Sequence, residues 1–131
     1  AYTNAALAAL QSEDFGSGLR AVRAGIEEGG EPTSANQLLL RVTAEAHFTK
    51  LLLEINDLDS AKQRCELAKD FAARSCSQRA EHIAAIAEGL YEVYAGKTDV
   101  GLSRLHSALE RARLMKSTLR DSLIAMVKAY D

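Results

Sequence analysis

The chain has 131 residues, 47% of them apolar and 26% charged, with a formal net charge of −2. That apolar content suffices for one domain with a buried core and excludes a disordered acidic or basic tail. The balance of 16 Lys and Arg against 18 Asp and Glu excludes a global attraction to nucleic acid or to an anionic membrane surface.

Ala and Leu dominate, β-branched residues are few, Pro32 is the one proline, and no segment alternates with period two, so the expected class is all-α. No apolar run approaches the roughly 20 residues of a membrane span. The longest, Leu51-Leu52-Leu53, is bracketed by Lys50 and Glu54. Two cysteines are too few for a disulfide framework, so a reducing, cytoplasmic setting is expected. The stretch shown carries no signal-peptide pattern, and the start at Ala1 without methionine suggests a piece of a longer protein.

Seven helices are predicted. Thr3 or Asn4 caps a short first one carrying Leu7 and Leu10. Asp14 caps the second, which runs through Leu19, Val22 and Ile26 and stops at Gly29-Gly30 before Pro32. Gly16, Gly18 and Gly25 lie inside it, each costing on the order of 1 kcal/mol of helix propensity against Ala, so close packing is expected there. Thr33 or Ser34 opens the third, which reaches about Ile55 and is apolar on two lines: Leu40, Ala44, Phe48, Leu51 and Ile55, and Leu39, Val42, Ala46 and Leu53. A helix apolar on two sides is sandwiched between neighbours. Asn56 turns the chain, and Asp57 caps a fourth helix running to about Ala73, with Leu58, Ala61, Cys65, Ala68 and Ala72 inward. After a break at Ser75 to Ser77, the fifth carries Ile83, Ile86, Ala87, Leu90 and Tyr94 and ends at Gly96. Thr98 or Asp99 starts the sixth, with Leu102, Leu105, Leu109 and Ala112. The seventh shows Leu119, Leu123, Met126, Val127 and Tyr130.

The turns repeat. Glu13-Asp14-Phe15 leads into Gly18 and Gly25, Asn56-Asp57-Leu58 into Ala61 and Ala68, and Gly96-Lys97-Thr98 into Gly101 and Ala108. Each small pair is seven residues apart, two helical turns, and so shares a face. Small residues let helix axes approach while bulky neighbours fill the groove beside them. The units recur at about 40 residues, the range of helix-pair repeats. The expected architecture is an α-α superhelix: one domain over 1–131, with units at about 3–30, 33–74 and 77–115 and a further helix at 117–130.

Gly89, Gly96, Gly101, Leu105 and Ala108 fall at the spacing of the tetratricopeptide signature, which the chain therefore resembles. Leu58, Ala61 and Ala68, with Cys65 in the bulky place, match it in the middle unit, and Phe15, Gly18, Val22 and Gly25 in the first. The chain departs from it at Glu88 and Glu92, where the family usually has large apolar residues, and in lacking the first-helix glycine in two units. The long period is similar to the variant in bacterial transcription activators of the maltose-activator type. The chain also looks similar to repeat segments beside cyclic-dinucleotide output domains in bacterial signalling proteins. The resemblance implies that first helices line a concave surface, which puts Lys50, Leu53, Glu54, Leu90, Val93 and Tyr94 near a protein or peptide partner.

No catalytic constellation is legible. His47, His82 and His106 sit on three different helices, outside any E-x-x-H or H-E-x-x-H pattern, and are expected at the surface or half-buried, holding no metal. Cys65 lies on an inward line as a small apolar residue; Cys76 lies at a break. The Gly16-Ser17-Gly18 run lacks the lysine and preceding strand of a phosphate loop. Arg104, Arg111, Arg113, Lys116 and Arg120 collect late in the chain, Arg104 and Arg111 on one face, and are expected as a solvated face. The expected function is a non-catalytic protein-interaction module, without cofactor, nucleic acid or membrane, as a regulatory or scaffolding segment of a bacterial signalling or transcription protein. The unpaired seventh helix predicts a homodimer or the docking of a missing helix. The alternative is a small-molecule-sensing domain in which Arg41 or Lys50 holds the ligand.

Overall fold

The structure, a computed structural model, describes residues 15–113. These form five helices: α1 (Phe15–Gly29), α2 (Ala35–Glu54), α3 (Leu58–Ser75), α4 (Gln78–Tyr94) and α5 (Thr98–Ala112). They correspond to the second through sixth predicted helices, and no strand occurs among the described residues. The count is therefore five rather than seven, because the predicted first and seventh helices, and the Asp14 cap, lie outside the described residues.

Local chemistry sets the boundaries. Ser34 opens α2 with a capping box: its hydroxyl accepts from Gln37 N at 3.1 Å, and Gln37 Oε1 accepts from Ser34 N at 3.3 Å. Asp57 caps α3 by accepting from Ser60 N, and Ser77 caps α4 by accepting from Ala80 N. Lys97 stands at the N-cap of α5 and supplies no side-chain cap.

The two turns that join α2 to α3 and α4 to α5 carry the same hydrogen bonds at an offset of 40 residues. Ile55 N donates to Leu51 O, as Ala95 N does to Tyr91 O. Asn56 N donates to Leu53 O, as Gly96 N does to Val93 O. Asp57 N donates to Leu52 O, as Lys97 N does to Glu92 O. Asn56 (φ 61°) and Gly96 (φ 92°) both take the left-handed conformation that closes the turn. The repeat is thus one of backbone geometry as well as of composition.

The helices advance in layers. α2 packs on α1, α3 and α4; α4 packs on α2, α3 and α5. The first helices of the two hairpins, α2 and α4, lie against each other, while the second helices, α3 and α5, stand apart. Neither α1 nor α5 folds back to close a bundle among the described residues. Phe48, Leu51, Leu53, Ile86, Leu90 and Leu105 are the largest fully buried apolar side chains.

The small residues explain how closely the layers sit. Gly18, Gly89 and Gly101 are buried, as are Ala61, Ala68 and Ala108. A methyl carbon placed on Gly101 would lie 2.7 Å from Gly89 O and 2.8 Å from Val93 N, so α4 and α5 touch backbone to backbone at this pair. Two glycines expected to pack, and Gly96, which shares the repeat's signature spacing, lie outside the close contacts. Gly96 is exposed and serves the turn through its positive φ. Gly25 is only half-buried and lines a cavity. Gly16 is exposed, with only Arg20 near it. Leu40 and Ile55 are also exposed, because the ends of α2 project beyond the neighbouring helices that cover its middle.

Candidate functional site

Two surfaces carry polar chemistry. The first lies where α2 and α4 meet. Tyr94 donates its hydroxyl to Glu54 Oε1 at 3.2 Å, across an offset of 40 residues, so one side chain from each layer meets at the same level. Glu54 is exposed, and Tyr91, Val93 and Tyr94 are half-buried. The other three residues expected to face a partner are not at the surface. Leu53 and Leu90 are core residues, because α2 and α4 are covered on several sides and these positions point into the packing between layers. Lys50 is only 7% exposed, and burial lowers its pKa, with Glu54 acting in the opposite direction. His47, one turn before Lys50, is also buried rather than half-exposed. Burial, with the Lys50 charge adding to it, pushes the His47 pKa down to about 4, and its Nδ1 has no hydrogen-bond partner among the described residues.

The second surface lies on the opposite side of the layers, where α3 and α5 diverge. In the α2–α3 hairpin this side is closed over. Glu45 is fully buried there and receives Arg64 at 3.1 Å and Arg41 at 3.5 Å. Arg64 and Arg23 stack over Phe48, with 4.4 and 5.6 Å to the ring centre. Arg41 and Arg74 stack over Phe71 at 4.8 and 5.1 Å, and Arg41 also donates to Gly30 O. A carboxylate buried this deeply is stable only because two guanidiniums satisfy it.

The α4–α5 hairpin leaves the same side open as a groove of about 560 Å³, lined by Ala85, Ser103, Arg104, Ser107 and Arg111, with His82 and Asp99 toward its ends. Arg104 bonds Glu92 at 2.6 Å and approaches Glu88 at 3.5 Å, and Glu88 in turn pairs with Lys69 of α3. The Glu92 hydrogen bond raises the Arg104 pKa against partial burial, so its charge is fixed and locally neutralised. Arg111 has no ion pair among the described residues. His82 Nδ1 is buried without a hydrogen-bond partner there, and desolvation followed by the Arg111 charge lowers its pKa. The acids Glu88 and Glu92 thus face the charged side of α5.

Cys65 is buried, its thiol pushed up to about 12 by burial first and the Glu88 charge second, whereas Cys76 is exposed at the left-handed end of α3. His106 is exposed, Arg113 pairs with Glu110, and Lys116 and Arg120 lie outside the described residues. Among the described residues, no three His, Cys, Asp or Glu side chains group as metal ligands, and no helix is long and apolar enough to cross a membrane.

The buried Glu45 cluster is absent from the sequence reading. Its local signal is Arg41 four residues before Glu45, between two apolar lines; the decisive partner, Arg64, comes from the next helix and leaves no local trace. Compared with known proteins, the chain matches no family model, no curated protein and no solved structure.

Proposed function

We propose that the chain is a non-catalytic protein-interaction module, a long-period tetratricopeptide-like stack of helix pairs. It would serve as the regulatory or scaffolding segment of a larger bacterial signalling or transcription protein, a setting that rests on the sequence resemblance alone. The observation that carries the reading is the turn repeated bond for bond at 40 residues, with first helices in contact and second helices apart. Each layer is then a wedge, narrow on the α2 and α4 side. Adding wedges in one sense curves the stack about that side and produces a superhelix with a concave face.

On this reading Glu54, Tyr91, Val93 and Tyr94 form the partner-facing strip, and Lys50, Leu53 and Leu90 hold it from beneath. Tyrosine suits the role because it offers an apolar body and a polar tip at low conformational cost. The stack contributes a rigid surface and no bond chemistry. Selection from a displayed peptide library tests this: binders recovered on the wild-type chain should be lost on Tyr94→Ala and Glu54→Arg variants that keep the wild-type circular dichroism. Recovery of no binders, or of binders indifferent to both variants, refutes the assignment of this strip.

One observation favours the sensing alternative. Arg41 lines a cavity of about 270 Å³ between α1 and α2, with Val22, Ile26, Pro32 and Leu40. Arg41 is already engaged by Glu45 and Gly30 O, and the volume falls below the roughly 300 Å³ at which small-molecule sites begin. Lys50 does not line it. Thermal-shift screening against metabolites separates the two readings, since a sensor gains stability from its ligand and a scaffold from none.

A further inference from the structure

The 40-residue register equates Glu45 with Ala85, Phe48 with Glu88, Arg64 with Arg104, and Phe71 with Arg111. It therefore allows the chain to be compared with itself. In the α2–α3 hairpin the outer side is filled from within: a carboxylate lies between two guanidiniums, and two phenyl rings carry the surrounding arginines. In the α4–α5 hairpin the carboxylate has become the methyl of Ala85, and the two rings have become Glu88 and Arg111. Arg104 has been given new intramolecular acids, and Arg111 has none among the described residues. Among the described residues the result is an open groove. At one end lie a guanidinium that has no ion pair there and an imidazole nitrogen that has no hydrogen-bond partner there.

Asp99 is the one acid among the lining residues, and it sits twelve residues from Arg111, about 18 Å along the α5 axis. Glu81, which the register places where the preceding layer has Arg41, also acts on His82, but less strongly than Arg111 does. The groove is therefore positive at the Arg111 end, next to a small residue where the preceding layer carries a carboxylate. We propose that this outer groove docks an acidic peptide segment of a partner protein. One partner carboxylate takes the place over Ala85 that Glu45 fills in the preceding layer and pairs with Arg111. Ser103 and Ser107 offer hydroxyls to the partner backbone along the groove. This surface is separate from the strip of Glu54 and Tyr94, and the inference stands whether or not that strip binds.

The test is fluorescence anisotropy of a labelled hexaglutamate peptide at low ionic strength. The wild-type chain should bind it, and Arg111→Gln, a change at an exposed position, should weaken binding at least about tenfold, as expected for loss of a charge-assisted pair. Ala85→Glu should weaken it to the same degree by supplying the missing carboxylate internally, without loss of helical circular dichroism. Glu54→Gln on the opposite face should leave it unchanged. The proposal is overturned if the wild type fails to bind at about 1 mM peptide, or if Arg111→Gln binds equally well. It is also overturned if an oligothymidylate of equal charge binds as tightly, or if sedimentation shows that Arg111→Gln merely abolishes self-association of the chain.

Discussion

Gly101→Ala is the most informative single substitution. Alanine is the better helix former by roughly 1 kcal/mol, so propensity alone favours the change. The added methyl would stand 2.7 Å from Gly89 O and from Val93 Cγ2, and 2.8 Å from Val93 N. Two of these atoms are backbone and cannot rotate away, so α4 and α5 must separate by several tenths of an ångström. Separation loosens Leu105, which is fully buried in the same contact. Overpacking of this kind costs about 1–3 kcal/mol, which exceeds the propensity gain at all but its lower limit. The expected net loss centres on about 1 kcal/mol, in a range of about 0–2, measured as a lower urea midpoint with an unchanged slope. Gly16→Ala is the control, since a methyl there meets nothing closer than Arg20 Nη1 at 3.7 Å, and it should stabilise by up to about 1 kcal/mol. The position equivalent to Gly101 in the preceding layer is Ala61, fully buried, and Ala61→Gly should cost at least about 1 kcal/mol. Glycine-to-alanine and alanine-to-glycine changes at equivalent sites would then both destabilise. A Gly101→Ala chain stabilised by about 1 kcal/mol, the full propensity gain, refutes the close backbone contact.

Other perturbations have definite outcomes. Glu45→Ala leaves Arg41 and Arg64 without their buried carboxylate and should cost about 3–5 kcal/mol in urea unfolding. His47 binds a proton more weakly folded (about 4) than unfolded (6.5), so stability is unaffected by this residue above pH 6.5 and falls as pH drops from there toward 4. The full effect is about 3 kcal/mol, and a His47→Gln chain should lack it when the two stability profiles are subtracted. Cys76 should react with a thiol reagent in the native chain and Cys65 only on unfolding, counted as one and two labels by mass spectrometry. Gly96→Ala should cost about 1 kcal/mol through its positive φ, whereas Asn56→Gly at the equivalent turn should cost little.

The parts of this fold that were legible are those written in short stretches. Ser34 and Asp57 can each cap a helix from within one turn, and Asn56 and Gly96 announce left-handed turns by residue type. Gly101 and Ala108 could be matched with Ala61 and Ala68 because small residues at two-turn spacing carry few other meanings. What failed depended on distant neighbours. Leu53 and Leu90 share the hydrophobic character of any interface residue, and only the position of the adjacent layer sends them inward. Gly16 carries the same letter as Gly18 but lies on the open side of α1. Glu45 looks like a surface acid until Arg64 arrives from the next helix.

The most direct measurement of the layered architecture is a set of nuclear Overhauser contacts in solution. Cross-peaks should join the Tyr94 ring to the Glu54 side chain and the α-protons of Gly89 to those of Gly101, with none between α2 and α5. Contacts running from α2 to α5, in place of those from α2 to α4, would mean a closed four-helix bundle and contradict the stack.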